Sequence, residues 1–325
     1  MLDAKSRGQL KLSRLDARER LGRRISEITE GLTTLLGSIY ARIDYPDEDL
    51  GDYTQEEISD ELSTLIEKAE RLISTYRTGR TVREGVTTAI AGKPNAGKST
   101  LYNILTGTDG AIVTDVAGTT RDVLESTVSL GDVMLRLFDT AGIRDGGDLV
   151  EKIGIERSKR RVQDSELILA LFDSSVPYDS EDEELISMLE DAQGEKIAVI
   201  TKCDLSPDDE KIRRIQKRIP TLVKISEKDE TDAIEKLTTV ITRLFTDEKI
   251  SIGNDAVISS EMHYSALVNA RDAMLAAKSS LDAGLPQDLA STEMEDALRS
   301  VSMLDGKEVS ELIVSDIFSR FCVGK

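Results

Sequence analysis

Gly92-Lys93-Pro94-Asn95-Ala96-Gly97-Lys98-Ser99 fits the spacing G-x-x-x-x-G-K-[ST]. Such a stretch works largely through its backbone. The glycines let the chain curl until several N–H groups converge on an anion, and a helix opening behind them adds positive potential. The lysine can then reach the β- and γ-phosphates of a nucleotide, and the serine hydroxyl can ligate Mg²⁺. The flanks suit this chemistry: Val86-Thr87-Thr88-Ala89-Ile90-Ala91 reads as a buried strand, and Thr100-Leu101-Tyr102-Asn103-Ile104-Leu105 continues as a helix. Asn95, Ala96, Gly97, Lys98, Ser99 and Thr100 are therefore candidate nucleotide contacts, with Lys98 the catalytic cation.

Two further segments stand at expected strand ends. Asp139-Thr140-Ala141-Gly142 follows Met134-Leu135-Arg136-Leu137-Phe138. An Asp there can hold Mg²⁺ through water, and the Gly142 amide can sense a γ-phosphate. Thr201-Lys202-Cys203-Asp204 follows Ile197-Ala198-Val199-Ile200. Asp204 can accept two hydrogen bonds from the N1–H and exocyclic amine of guanine, a pattern adenine lacks, while the Lys202 stem can lie along the purine face. The expected nucleotide is thus GTP rather than ATP. Thr201 stands where Asn is commoner, which predicts a weakened contact, altered affinity and retained specificity. Each segment alone reads equally as an ordinary turn; three in this order point to one site.

The elements that must position these residues follow from hydrophobic patterning. Further buried-strand runs occur at Val133 to Phe138, Leu167 to Phe172 and Ile197 to Ile200, with a weaker one at Leu222 to Ile225. Helical stretches separate them, the pattern of a mostly parallel sheet with crossover helices. The flanks are helical. Leu21, Ile25, Ile28, Leu32, Leu35, Leu36 and Ile39 recur at helical spacing, a break follows at Asp44-Tyr45-Pro46-Asp47, and Ile58 to Ile73 forms a second amphipathic stretch. Helices are expected again over Tyr264 to Leu281, Thr292 to Leu304 and Glu308 to Phe321. The expected architecture is an α/β domain over residues 83–249 inserted into an all-α domain made of residues 1–82 and 250–325.

Composition narrows the classes further. The 325 residues carry a formal net charge of −19, which argues against broad affinity for nucleic-acid backbones. Two cysteines, Cys203 and Cys322, are too few for a disulfide framework or a metal cluster, and no apolar run is long enough to span a bilayer. These features, with no signal-peptide pattern, point to a reducing, cytoplasmic compartment.

Between the first two motifs lies Ala111-Ile112-Val113-Thr114-Asp115-Val116-Ala117-Gly118-Thr119-Thr120-Arg121-Asp122. Together with Asn95, the Ile43-Asp44-Tyr45-Pro46-Asp47-Glu48 segment and the ending Phe318-Ser319-Arg320-Phe321-Cys322-Val323-Gly324-Lys325, it closely resembles the MnmE (TrmE) family of tRNA-modifying GTPases. The resemblance runs over nearly the whole chain. It implies a P-loop GTPase domain inserted into a helical domain, with K⁺ driving dimerisation of GTPase domains and hydrolysis.

Carried over, Asn95, Thr114, Val116 and Thr119 would contact K⁺, and Thr120 would join Ser99 on Mg²⁺. Residues Thr114, Asp115, Val116, Ala117, Gly118, Thr119 and Thr120 would line the nucleotide, as would Ser226-Glu227-Lys228 at the base. Ile143 follows Gly142 and cannot orient water as a Gln would. Glu151 matches the family's catalytic, water-positioning acid, and K⁺ would supply the missing positive charge. Cys322 would be functional beside a one-carbon tetrahydrofolate, which Lys325 would help bind. The implied activity is K⁺-stimulated GTP hydrolysis in C5 modification of the tRNA wobble uridine, with tRNA and a flavoprotein as partners and a homodimer in the GTP state. The chain is expected to lack the N-terminal folate-binding and dimerisation domain that family members carry. Two alternatives remain open: a GTP-switched module associated with RNA or ribosomes, and an ATP-binding P-loop protein.

Overall fold

The computed structural model describes residues 6–44, 53–107, 125–138, 161–226 and 228–305. Its helices are α1 (Arg7–Ser13), α2 (Leu15–Asp44), α3 (Gln55–Ser74), α4 (Tyr76–Glu84) and α5 (Lys98–Thr106), followed by α6 (Ser180–Glu190) and α7 (Asp209–Arg218). The last three are α8 (Glu230–Phe245), α9 (Glu261–Asp282) and α10 (Gln287–Asp305). The chain divides into two units: residues 81–248 with the chain start to Leu10, and residues 11–80 with 249 onward. The bulk of the first unit is thus an insertion between the two segments of the second.

The inserted unit is built on one sheet of β1 (Val86–Gly92), β2 (Glu125–Leu130), β3 (Val133–Phe138), β4 (Leu167–Asp173), β5 (Glu195–Thr201) and β6 (Leu222–Lys224). Their spatial order is β2-β3-β1-β4-β5-β6, with β2 antiparallel to β3 and every other pairing parallel. Central strands are apolar on both faces because helices cover both. Along β4, Leu167, Leu169 and Leu171 pack with Leu101 and Leu105 of α5 and Leu237 and Ile241 of α8. Ile168, Ala170 and Phe172 point the other way, against Ile186 and Leu189 of α6 and Ile212 and Ile215 of α7. After β1 the next two strands, β2 and β3, lie on one side of it, and β4 follows on the other. That reversal opens a crevice at the carboxyl ends of the strands, where α/β sheets hold ligands.

The patterning expects the five parallel strands and gives no strand over Glu125–Leu130. β2 is an edge strand with polar Ser126, Thr127 and Ser129, so it lacks the continuous apolar run that marks its neighbours. Its signal lies in the two residues Gly131-Asp132 that join it to β3. Gly131 sits at φ 62°, a tight-turn conformation that costs glycine little.

In the helical unit, α2 contributes Ile28, Leu32, Leu35 and Leu36 to a core shared with Leu62 and Leu65 of α3, Leu267 and Met274 of α9, and Met294 and Leu298 of α10. Each fully buried leucine stabilises by about 1.5–3 kcal/mol relative to exposure. Thr54 starts α3 as a capping box: its hydroxyl accepts the Glu57 N–H while the Glu57 carboxylate accepts the Thr54 N–H. α2 ends two residues before Pro46, where the sequence places its break. The expected helix over Glu308 to Phe321 lies outside the described residues.

Candidate nucleotide site

β1 delivers the chain into the loop Lys93–Gly97, and α5 begins immediately after it. Gly97 caps α5 at φ 95°, where a side chain would be strained, and Asn95 takes φ 62°, a conformation that asparagine tolerates better than most residues. The first-turn N–H groups of α5 lack intrahelical acceptors and are available to an anion. The Lys98 ammonium donates to the Gly92 carbonyl at 2.9 Å and the Lys93 carbonyl at 2.6 Å, which arches the side chain back over the loop. Burial pulls the Lys98 pKa below the usual lysine value. Ser99 is exposed in the first turn of α5, where its hydroxyl is open to a ligand.

β5 delivers the second wall. Thr201 is its last residue and is buried; its hydroxyl donates to the Ala96 carbonyl at 2.9 Å and is 3.3 Å from the Phe172 carbonyl. The threonine therefore makes a contact of ordinary hydrogen-bond length to the polar frame of the loop. Lys202 takes φ 55° and places its ammonium 2.6 Å from Asp173 at the end of β4. Burial opposes ionisation of Asp173, but hydrogen bonds from Lys202 and Ser175 outweigh it and hold the carboxyl below its usual range. The Cys203 thiol is half-buried and donates to the Ile200 carbonyl at 3.3 Å.

Asp204 meets the chain beyond β6. The Ser226 hydroxyl donates to its Oδ1 at 3.2 Å, and the Lys228 ammonium lies 2.8 Å from Oδ2. The Lys228 hydrogen bond is the main reason that the Asp204 carboxyl is held below its usual range. An ionised carboxylate here has acceptor capacity left for two parallel N–H donors.

The structure thus brings Asn95 to Thr100, Thr201 to Asp204, Ser226 and Lys228 to the carboxyl ends of β1, β5 and β6. Thr114 to Thr120, Asp139 to Gly142, Glu151, Glu227, Cys322 and Lys325 lie outside the described residues. Asp173 and Ser174 are additions that the sequence reading missed. The Ser174 hydroxyl donates to the Thr201 carbonyl at 2.8 Å, and its position just past a central parallel strand was the available signal.

The family model for the MnmE helical domain matches residues 1–322. The chain belongs to the MnmE family. The tRNA modification GTPase MnmE of Carboxydothermus hydrogenoformans is 34% identical over 327 residues, covering 100% of this chain and 70% of that one. The Acetivibrio thermocellus protein of the same name is 34% identical over 308 residues, 94% of this chain and 66% of that one. The Thermoanaerobacter sp. protein is 36% identical over 307 residues, with shares of 94% and 66%. This MnmE-family chain therefore spans about two thirds of the length of these relatives. Membership agrees with the α/β P-loop domain inserted into a helical one that the sheet and helices display.

Proposed function

We propose that this chain binds GTP with Mg²⁺ and hydrolyses it, and that it serves in tRNA modification as its named relatives do. The observation that carries this reading is the Thr201–Ala96 hydrogen bond. It ties a phosphate-binding loop to a strand end bearing an ionised Asp204, so one wall presents groups for the phosphates and for the guanine edge.

In the bound state, the loop amides and Lys98 hold the phosphates, Lys202 lies along the purine, and Asp204 accepts from the guanine N1–H and amine. Ser99 is an exposed hydroxyl oxygen at a helix N-terminus, which suits the hard-oxygen preference of Mg²⁺, with Thr120 as its second protein ligand. Bound Mg²⁺ neutralises charge that builds on the phosphate oxygens. The exposed Asn95 amide at the loop crest offers an oxygen for K⁺, beside Thr114, Val116 and Thr119. A monovalent cation there supplies positive charge that Ile143 cannot, and Glu151 orients the water. Dimerisation of two such domains, a flavoprotein partner and wobble-uridine chemistry extend the same reading. Cys322 and Lys325 would serve a folate.

Displacement of labelled GTP tests the base assignment. Unlabelled GTP and GDP should compete and ATP should not; equal displacement by ATP would remove Asp204 from base recognition.

A further inference from the structure

The Lys93 side chain leaves the phosphate-binding loop altogether. Its ammonium pairs with Asp179 and lies 3.0 Å from Asp182 Oδ2. That same oxygen takes the Lys211 ammonium at 2.9 Å and the Asp179 backbone N–H at 3.2 Å. Asp182 is 0% exposed and Lys211 1%. Burying Asp182 and Lys211, with Lys93 partly covered beside them, is costly unless the charges compensate one another. Asp182 Oδ1 has no hydrogen-bond partner among the described residues, so the two ammonium groups carry most of the compensation.

Capping α6 accounts for part of this arrangement, since Asp182 closes a capping box by accepting the Asp179 N–H, but that role requires neither ammonium group. Asp179 already caps that helix, accepting from the Glu181 and Asp182 N–H groups. Cementing α6 to α7 would need Lys211 alone, which also donates to the Val176 carbonyl at 3.3 Å. The residue left over is Lys93, and its main chain matters to the site. The Lys93 carbonyl accepts the Lys98 ammonium at 2.6 Å and the Ala96 N–H at 3.3 Å. A loop containing Pro94 and a positive-φ Asn95 makes few regular hydrogen bonds of its own, so its shape depends on outside anchors. Thr201 anchors it at Ala96.

We propose that Asp182 is a positioning residue for the GTP site, acting through Lys93 to fix the first turn of the phosphate-binding loop. The inference rests on reading this site as one for GTP. Lys211 and the N-terminus of α6 hold the carboxylate, the carboxylate holds the Lys93 side chain, and the Lys93 peptide carries the carbonyl on which Lys98 rests. Releasing that anchor leaves every phosphate-contacting group in place but lets the loop sample open shapes. Nucleotide release is then the step that changes.

The test uses the full chain with Lys93→Met, Asp182→Asn and the double variant. Release of a fluorescent GDP analogue is measured by chase, with KM and kcat for GTP and the unfolding midpoint alongside. Lys93→Met keeps the buried Asp182–Lys211 pair but removes one of the two cations that compensate Asp182, so the chain should fold with a lowered midpoint and release nucleotide about tenfold faster, the scale of one charge-assisted hydrogen bond. KM should carry the change more than kcat. Adding Asp182→Asn to Lys93→Met should not speed release further. Release by Lys93→Met within about twofold of wild type, or Asp182→Asn acting equally in both backgrounds, would overturn the inference. If Asp182→Asn does not fold, the Lys93→Met release rate decides alone. Failure of the wild-type chain to take up any guanine nucleotide would overturn the GTP reading itself, and is distinct from either result.

Discussion

The Thr201 hydroxyl, at the end of β5, donates to the carbonyl of Ala96 in the loop after β1, reaching across the intervening β4 at 2.9 Å. Two loops more than a hundred residues apart in sequence are thereby held in one register. Both groups are buried, so neither can exchange its partner for water without opening the site.

Thr201→Val keeps the volume and removes the donor. It should weaken GTP and GDP binding by about five- to fiftyfold, the cost of leaving the Ala96 carbonyl unpaired. Preference for guanine over adenine should survive, since Asp204 is untouched. Titration with a fluorescent guanine nucleotide and an ATP control checks both halves.

Asp204→Asn replaces an acceptor pair by one acceptor and one donor. Guanine nucleotides should lose at least ~10²-fold in affinity, because a hydrogen-bonding site left mismatched rejects strongly. Xanthine nucleotides, with a carbonyl where guanine has its amine, should gain. The pH dependence has a definite sign. Lys228 holds the Asp204 carboxyl below its usual range, so wild-type GTP affinity should persist as pH falls through that range. In Lys228→Ala the affinity should be lost at a higher pH than in wild type, by a margin that solvent screening keeps small.

Much of this was legible because the motifs are local. Strand, glycine-bearing loop and helix follow one another from Val86 to Thr106, and the central parallel strands advertise themselves as unbroken apolar runs. β2 was hidden because an edge strand has one polar side and no such run. The lysine pair on Asp182 was hidden for a different reason. Lys93, Asp182 and Lys211 come from three separate segments, and each reads alone as an ordinary surface charge. The partner of Thr201 was unreadable likewise, since its acceptor is a main-chain carbonyl that carries no side-chain signature.

The helical unit yields a stability prediction. A Cβ on Gly79 would fall 2.1 Å from the Ile258 carbonyl and 2.8 Å from Val257 Cγ1. Backbone cannot step aside as a side chain can. Gly79→Ala should therefore destabilise by roughly 1–3 kcal/mol, despite alanine being the better helix former. Urea unfolding followed by circular dichroism reads the change directly; an unchanged or raised midpoint would show that the two segments do not approach so closely.

Glu151→Ala addresses the chemistry rather than the binding. GTP affinity should stay near wild type while turnover falls by about 10²-fold or more, as expected when the group that handles the attacking water is lost. Equal turnover would take Glu151 out of the mechanism. Asn95→Ala should keep nucleotide binding and lose the response to K⁺.

K⁺-assisted GTP hydrolysis is read out by steady-state phosphate release from GTP by this chain, with Mg²⁺, in matched KCl and NaCl. GTP and not ATP should be hydrolysed, faster in KCl by about tenfold or more, the scale of one well-placed charge at the transition state. Equal rates in the two salts would contradict the K⁺-assisted mechanism, and no release from GTP above the buffer rate in either salt would contradict the assignment as a GTPase.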